Sequence, residues 1–164
     1  MQFQVGAKVL HPIYGAGRIT AIHEKQFRQQ IDRYYVIQVP TQRITVMVPV
    51  HKVDDVGLRP ISGAAALQEM WHVLESKSIE LCSDWKLRQS HISEKIRTGD
   101  ILQIAQTIRD LTARRREQRL SQTDRELLEK AEAFLASELA VAQDMGSEEA
   151  RALIRTRALA GQSA

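Results

Sequence analysis

The sequence predicts an α+β protein: a small, bent N-terminal sheet of the SH3 or Tudor type, followed by an all-α bundle of about five helices. Two observations carry this. Up to about residue 60 the apolar residues come in short runs rich in β-branched and aromatic side chains, broken by Gly, Pro and polar residues. Beyond Gly57-Leu58-Arg59-Pro60 they recur every three to four residues, the spacing of a helix face.

The strand runs are Gly6-Ala7-Lys8-Val9-Leu10, Arg18-Ile19-Thr20-Ala21-Ile22, Tyr34-Tyr35-Val36-Ile37-Gln38-Val39 and Ile44-Thr45-Val46-Met47-Val48-Pro49-Val50. His11-Pro12-Ile13-Tyr14-Gly15-Ala16-Gly17 has the chemistry of a tight loop, and the polar segment 23–33 reads as a hairpin loop. Four or five short strands in about sixty residues suit a small, strongly bent sheet. In Ile44–Val50, alternation puts Ile44, Val46, Val48 and Val50 on one face and Thr45, Met47 and Pro49 on the other.

In the second half Ser62 is a plausible N-cap for a helix carrying Leu67, Met70, Trp71 and Leu74. Ser83 or Asp84 caps a second helix that runs to about Thr98 and ends at Gly99. Asp100 caps a third, with Ile101, Ile104, Ala105, Ile108 and Leu111 on one face. Ser121 opens the longest, with Leu127, Leu128, Ala131, Leu135, Leu139 and Ala142, and Ser147 opens the last, with Ala150, Leu153, Ile154 and Leu159. The boundary falls near Pro60, giving expected domains 1–60 and 61–164 joined by a short junction.

Charge is distributed in blocks. Residues 1–60 carry 8 Lys/Arg against 4 Asp/Glu, residues 84–119 carry 9 against 5, and residues 120–150 carry 2 against 8. Such blocks orient a protein near a polyanion even though the formal net charge is only +3. The acidic block is expected on solvated helix faces.

Catalytic and metal chemistry find no support. The five histidines show no paired ligand spacing, and the single cysteine, Cys82, forms neither an internal disulfide nor a multi-cysteine zinc site. Gly15-Ala16-Gly17 lacks the Gly-Lys-Ser/Thr of a phosphate-binding loop and reads as a tight β turn. The expectation is therefore a non-enzyme without metal or cofactor. No apolar run approaches the roughly 20 residues that span a bilayer, and the start has no basic segment leading into an apolar run. A cytoplasmic protein is expected.

Several stretches, in order, resemble the CarD/CdnL family of bacterial transcription factors. The first is Val9-Leu10-His11-Pro12-Ile13-Tyr14-Gly15-Ala16-Gly17, similar to the opening that CarD-like proteins share with the polymerase-binding module of transcription-repair coupling factors. Met47–Val50 with Val56–Arg59, Trp85–Arg88 with Glu94–Asp100, Ile104–Leu111, and Leu120 to Ala140 complete the resemblance. It implies an N-terminal domain that binds the RNA polymerase β subunit by edge-strand addition. The matching positions are Met47 and Pro49 on the strand and Lys25 and Phe27 on the preceding hairpin, with core packing as the rival reading of Met47 and Phe27.

For the helical half the resemblance implies contact with promoter DNA. Trp85 stands where family members wedge a tryptophan into the minor groove at the upstream edge of the transcription bubble, stabilising the open complex. Its rival reading is burial, because Trp85, Ile92 and Ile96 share a helical face; Trp71 is assigned to the core. Lys86, Arg88, Lys95, Arg97 and Arg109 are the expected phosphate contacts. Relatives often carry two adjacent basic residues shortly after the tryptophan, and Leu87 replaces the first of them here. Arg114-Arg115-Arg116 has two equal readings, DNA contact or favourable placement at a helix C-terminus. DNA binding by the isolated protein is expected to be weak, salt-sensitive and largely sequence-independent. The protein is expected to be a monomer, reaching the nucleoid through polymerase. The alternative function is an adaptor on polymerase whose helical domain binds a regulatory protein.

Overall fold

A computed structural model describes residues 2–163. Strands β1 (Lys8–His11), β2 (Gly15–Phe27), β3 (Gln30–Val39) and β4 (Ile44–Pro49) precede a single helical turn, α1 (Val53–Val56), and a two-residue strand, β5 (Arg59–Pro60). Five helices follow: α2 (Ala64–Glu75), α3 (Trp85–Arg97), α4 (Ile101–Glu117), α5 (Gln122–Gln143) and α6 (Ser147–Gly161). The α+β reading therefore holds. Among the described residues, no helix is long and apolar enough to cross a membrane.

The sheet is antiparallel, in the order β4-β3-β2-β1-β5, so β4 is an edge strand. A bulge at Thr20, between the pairs Ile19–Ile37 and Ala21–Val36, bends β2. Past the bulge, β2 and β3 stay paired out to Phe27–Gln30, with Arg28 in the left-handed region (φ 56°) at the turn. The polar segment expected as a hairpin loop is thus a paired two-stranded arm. It is solvent-exposed on both faces, Phe27 and Ile31 included, because it projects past the core, beyond the Tyr34–Pro49 pair that ends β4.

Val9, Ile19, Tyr35, Ile37, Val39, Val48, Val53 and Leu58 form the core beneath the sheet, with Ile44, Val46 and Val50 packed against them. That is the alternation expected of β4. The loop after β1 is tied by His11, whose Nδ1 accepts the N–H of Ile13 at 3.1 Å and of Tyr14 at 3.4 Å. Burial lowers the pKa of this imidazole, in keeping with a ring whose Nδ1 must stay unprotonated to accept. The glycines of the turn are needed for close approach. A Cβ on Gly15 (φ 93°) would stand 2.8 Å from Ser137 Oγ, and one on Gly17 would collide with the carbonyl of Gln38.

The helices enclose a larger core of Met70, Leu74, Ile104, Ile108, Leu111, Leu128, Leu135, Leu139, Ile154 and their neighbours. Asp84, Asp100 and Ser121 cap α3, α4 and α5 through hydrogen bonds to backbone N–H groups, as their positions predict. Ser62 does not cap α2. Gly63 holds the N-cap position, and the Ser62 N–H donates to Glu138 Oε1 at 2.9 Å. Leu153 and Leu159, expected on the inner face of α6, are exposed, while Ala150, Ile154 and Ala158 fill that face. Trp71 is partly buried against the core, with the guanidinium of Arg157 4.0 Å above its ring.

The acidic block is not simply solvated. Asp124, Glu132 and Glu138 are buried, paired respectively with Arg88, with Arg151 and Arg155, and with Arg59. The last pair belongs to a joint between sheet and bundle. Arg59 Nη1 and Nη2 donate to the two Glu138 oxygens at 2.8 and 2.9 Å, and Nη2 also donates to the Gly99 carbonyl at 2.9 Å. The Ala16 N–H donates to Ser137 Oγ, Leu10 and Ala16 pack on Val141, and Lys8 and Arg18 pair with Asp144. Helix α5 thereby seats the bundle directly on β1 and β2.

Candidate functional site

Trp85 is the first residue of α3 and is 58% exposed. The reason is geometric. Helical side chains lean toward the N-terminus, so one on the first residue overhangs the end of its helix, where no further turn lies beneath it. The apolar stripe that Trp85 shares with Ile92 and Ile96 is buried at those two residues. In the first turn Arg88 takes the buried place and the indole is left outside. Lys86 lies beside it, its Nζ 5.4 Å from the ring centroid. Leu87 and Ile79 are exposed nearby in sequence, so the end of α3 presents apolar as well as basic groups.

Arg88 itself does not reach outward. Its Nη2 donates to Asp124 Oδ2 at 3.0 Å, its Nε to the same carboxylate at 3.2 Å, and its Nη1 to the carbonyls of Cys82 and Ser83 at 3.1 and 3.3 Å. Both partners of the ion pair are buried. This corrects the phosphate role expected of Arg88: its donors are committed to holding the first turn of α3 onto the first turn of α5. Arg109 is corrected in the same way. It is buried, its Nε donates to Asp110 Oδ1 at 2.7 Å and its Nη1 to Ser76 Oγ at 3.0 Å, while Asp110 accepts the Ile79 N–H. Arg109 and Asp110 pin the connection that leads into α3.

Lys95 and Arg97 lie ten and twelve residues along α3 from Trp85, about 15 and 18 Å at the helical rise. Lys95 Nζ donates to Gln106 Oε1 at 3.0 Å, and Arg97 is exposed and paired with Glu94. Of the six residues expected to meet DNA, the fold therefore brings together Trp85 and Lys86, sets Lys95 and Arg97 at the other end of the helix, and turns Arg88 and Arg109 inward.

On the sheet, Met47 is paired with Val36 in the edge strand and lies partly exposed on the face away from the core, as does Pro49. Phe27 is 73% exposed near the tip of the arm and does not tuck under the sheet; the Arg28 guanidinium stands 5.6 Å from its ring. Lys25, also exposed, sits 5.7 Å from the Tyr34 ring. As the edge strand, β4 pairs with β3 alone and leaves its other row of backbone groups unpaired in the sheet.

A cleft opens between the two halves, lined by Ile13, Tyr14, Gln42, Ser93, Lys130 and Phe134 among others. It contains no constellation of nucleophile, base and oxyanion donors. Among the described residues no group of three or more His, Cys, Asp or Glu is placed to hold a metal ion.

Comparison with known proteins accounts for both halves. Residues 3–62 match the "CarD-like/TRCF RID domain" family model, and residues 69–155 match "CarD, C-terminal domain". The chain is 35% identical over 139 residues to the Bacillus subtilis (strain 168) protein named "Putative transcription factor YdeB", covering 85% of this chain and 91% of that one. With sheet and bundle each matched in order along one chain, and a relative similar over nearly its whole length, the protein belongs to the CarD/CdnL family of transcription factors.

Proposed function

We propose that the protein binds the RNA polymerase β subunit through its N-terminal domain, residues 1–60, and stabilises the promoter open complex through its helical domain, residues 61–164. The observation that carries this reading is the exposed indole of Trp85 at the free end of α3, next to Lys86. A large flat side chain held off the bundle suits insertion at a base step of the minor groove. Unstacking a step costs a few kcal/mol, less where the strands already part, so the wedge favours the open over the closed state by linkage. The edge strand supports the other half of the proposal. Backbone groups of β4 supply affinity, and Met47, Pro49, Lys25 and Phe27 supply selection.

Trp85→Ala should leave co-purification with polymerase unchanged and shorten the open-complex lifetime about fivefold or more, the usual scale of coupling between two sites. Dissociation of preformed complexes after a heparin challenge measures this, and an unaltered lifetime sinks the wedge. Met47→Asp should abolish co-purification with the β subunit while circular dichroism and melting temperature stay as in the parent, because this outward side chain contributes little to the core. Retained binding removes the docking strip.

A second reading has its own observation. Leu87, two residues after Trp85 in the first turn of α3, exposes apolar surface, which also suits an adaptor that docks a regulatory protein on polymerase. A photocrosslinker at residue 85 separates the two: adducts with promoter DNA favour the wedge, and adducts with protein alone favour the adaptor.

A further inference from the structure

We propose that the cleft between sheet and bundle is a binding site for a small amphipathic anion, an apolar chain carrying one carboxylate. Lys130 and Ser93 hold the head, and Leu127, Phe134 and Ile13 line the path of the chain. No residue of β4 lines the cleft, and neither does Trp85.

Two contacts set the shape of the cleft. Arg88 pairs with Asp124 where α3 and α5 begin, and Arg59 joins the Gly99 carbonyl to Glu138 further along. The two helices therefore run side by side in the same direction, with a groove between them. Ser93 lies five residues after Arg88 and Lys130 six after Asp124, about 7.5 and 9 Å along their helices, so the two stand level across the groove. Leu127, Ile96 and Phe134 supply its apolar lining. The sheet closes the far end. Seven residues after Lys130, about 10 Å along α5, Ser137 accepts the Ala16 N–H, and loop 12–15 with residues 41 and 42 forms the wall. Gln42 Nε2 donates to the Tyr14 carbonyl at 2.9 Å, and His11 ties the same loop, so the wall is built without an occupant.

The cleft encloses about 990 Å³, the upper end of what small organic ligands occupy. Its charged lining is Glu94, Arg97 and Lys130. Glu94 and Arg97 pair with each other, which leaves the Lys130 ammonium without a partner among the described residues. Glu126, one helical turn before Lys130, accepts from Gln122, and neither Glu126 nor Glu129 lines the cleft. The Ser90 and Ser93 hydroxyls are likewise without a partner among the described residues, whereas Ser137 is already bonded to Ala16 and Phe134. Free donors thus meet over the middle of the groove, and apolar groups fill most of the rest. One anionic head on an apolar body satisfies both. A polyanion would leave the apolar lining uncovered, and a neutral chain would gain nothing from the ammonium. The occupant touches loop 12–15 of the sheet and both helices of the bundle at once, so its binding favours the joined arrangement of the two halves.

The test is a titration of sodium octanoate into the isotope-labelled full-length protein, followed by amide chemical shifts. Saturable shifts should cluster at Tyr14, Gln42, Ser93, Lys130 and Phe134. Lys130→Ala should raise the Kd about tenfold or more, the worth of one bond between charged groups. Its melting temperature should stay as in the parent, because the side chain is exposed. Octanol should bind the parent more weakly than octanoate by a similar factor and be indifferent to Lys130→Ala. Ala133→Trp, which fills the cleft from an exposed position on α5, should abolish the shifts for both. Octanoate should also slow amide exchange at Ala16, whose N–H crosses the seam. Absence of saturable shifts overturns the proposal, and so does a Kd that Lys130→Ala leaves unmoved. Shifts scattered through both hydrophobic cores overturn it as well, by showing detergent action. A short DNA duplex, or a second copy of the chain at raised concentration, that moves the same amides and displaces octanoate would give the cleft to that occupant and overturn it too.

Discussion

Arg88→Ala is expected to destabilise the protein by about 3–5 kcal/mol, the range for removing one member of a buried ion pair. The substitution leaves the Asp124 carboxylate buried without its guanidinium, and it frees the carbonyls of Cys82 and Ser83 that Arg88 also binds. Asp124 still sits in the first turn of α5, where the helix N-terminus favours a negative charge. That turn is itself fastened to α3 through Arg88, so both helix starts should loosen. Urea unfolding followed by circular dichroism measures the loss. If Arg88 were a phosphate contact, the variant would keep its stability and lose only DNA affinity; a stability change below about 0.5 kcal/mol, the usual surface value, would refute the structural role. Replacing the pair together, as Arg88→Met/Asp124→Leu, should recover much of the loss, because a packed apolar pair of similar volume avoids the desolvation of two charges.

Arg88 also shows where sequence reading reaches its limit. Local signals carried the architecture. The β-branched runs formed strands, Asp84, Asp100 and Ser121 capped helices, and the placement of Trp85 in a first turn anticipated its exposure. What local patterns do not contain is the partner of a charge. Asp124 lies 36 residues from Arg88, and nothing in the composition of either segment joins them. A positional signal was present: Arg88 stands four and eight residues before Ile92 and Ile96, in line with the buried stripe. Arg109 and Asp110 likewise sit between the buried Ile108 and Leu111. A charge on an apolar stripe is better read as half of a buried pair than as a surface contact. The same rule finds Glu132 between Ala131 and Leu135, and Glu138 beside Leu139. The arm at residues 23–33 escaped for a different reason. Its two faces both meet solvent, so the alternation that reveals a half-buried strand has nothing to mark.

The joint between sheet and bundle gives the second large effect. Glu138→Ala should cost about 2–4 kcal/mol, somewhat less than a fully buried pair, because Arg59 is partly exposed and regains water when its partner is lost. The Ser62 N–H loses its acceptor as well. Both hydrophobic cores are untouched by this change, since neither includes Glu138. The damage should therefore concentrate at the seam. Amide exchange at Ala16 and Ser62, whose N–H groups bond across it, should rise more than exchange in β3 or α4. Glu138→Gln, which keeps a carbonyl oxygen to accept from Ser62 or Arg59, should fall between the two. In function the variant should hold polymerase as the parent does, since β4 is a different strand and the arm is the far end of β2 and β3, beyond the bulge at Thr20. Open-complex lifetime should nevertheless shorten, because an indole on a loosened bundle pays its own ordering entropy on reaching the fork. A Glu138→Ala protein with parental stability and parental exchange at Ala16 and Ser62 would show that the seam is held by apolar packing around Leu10, Ala16 and Val141, with the ion pair making no net contribution.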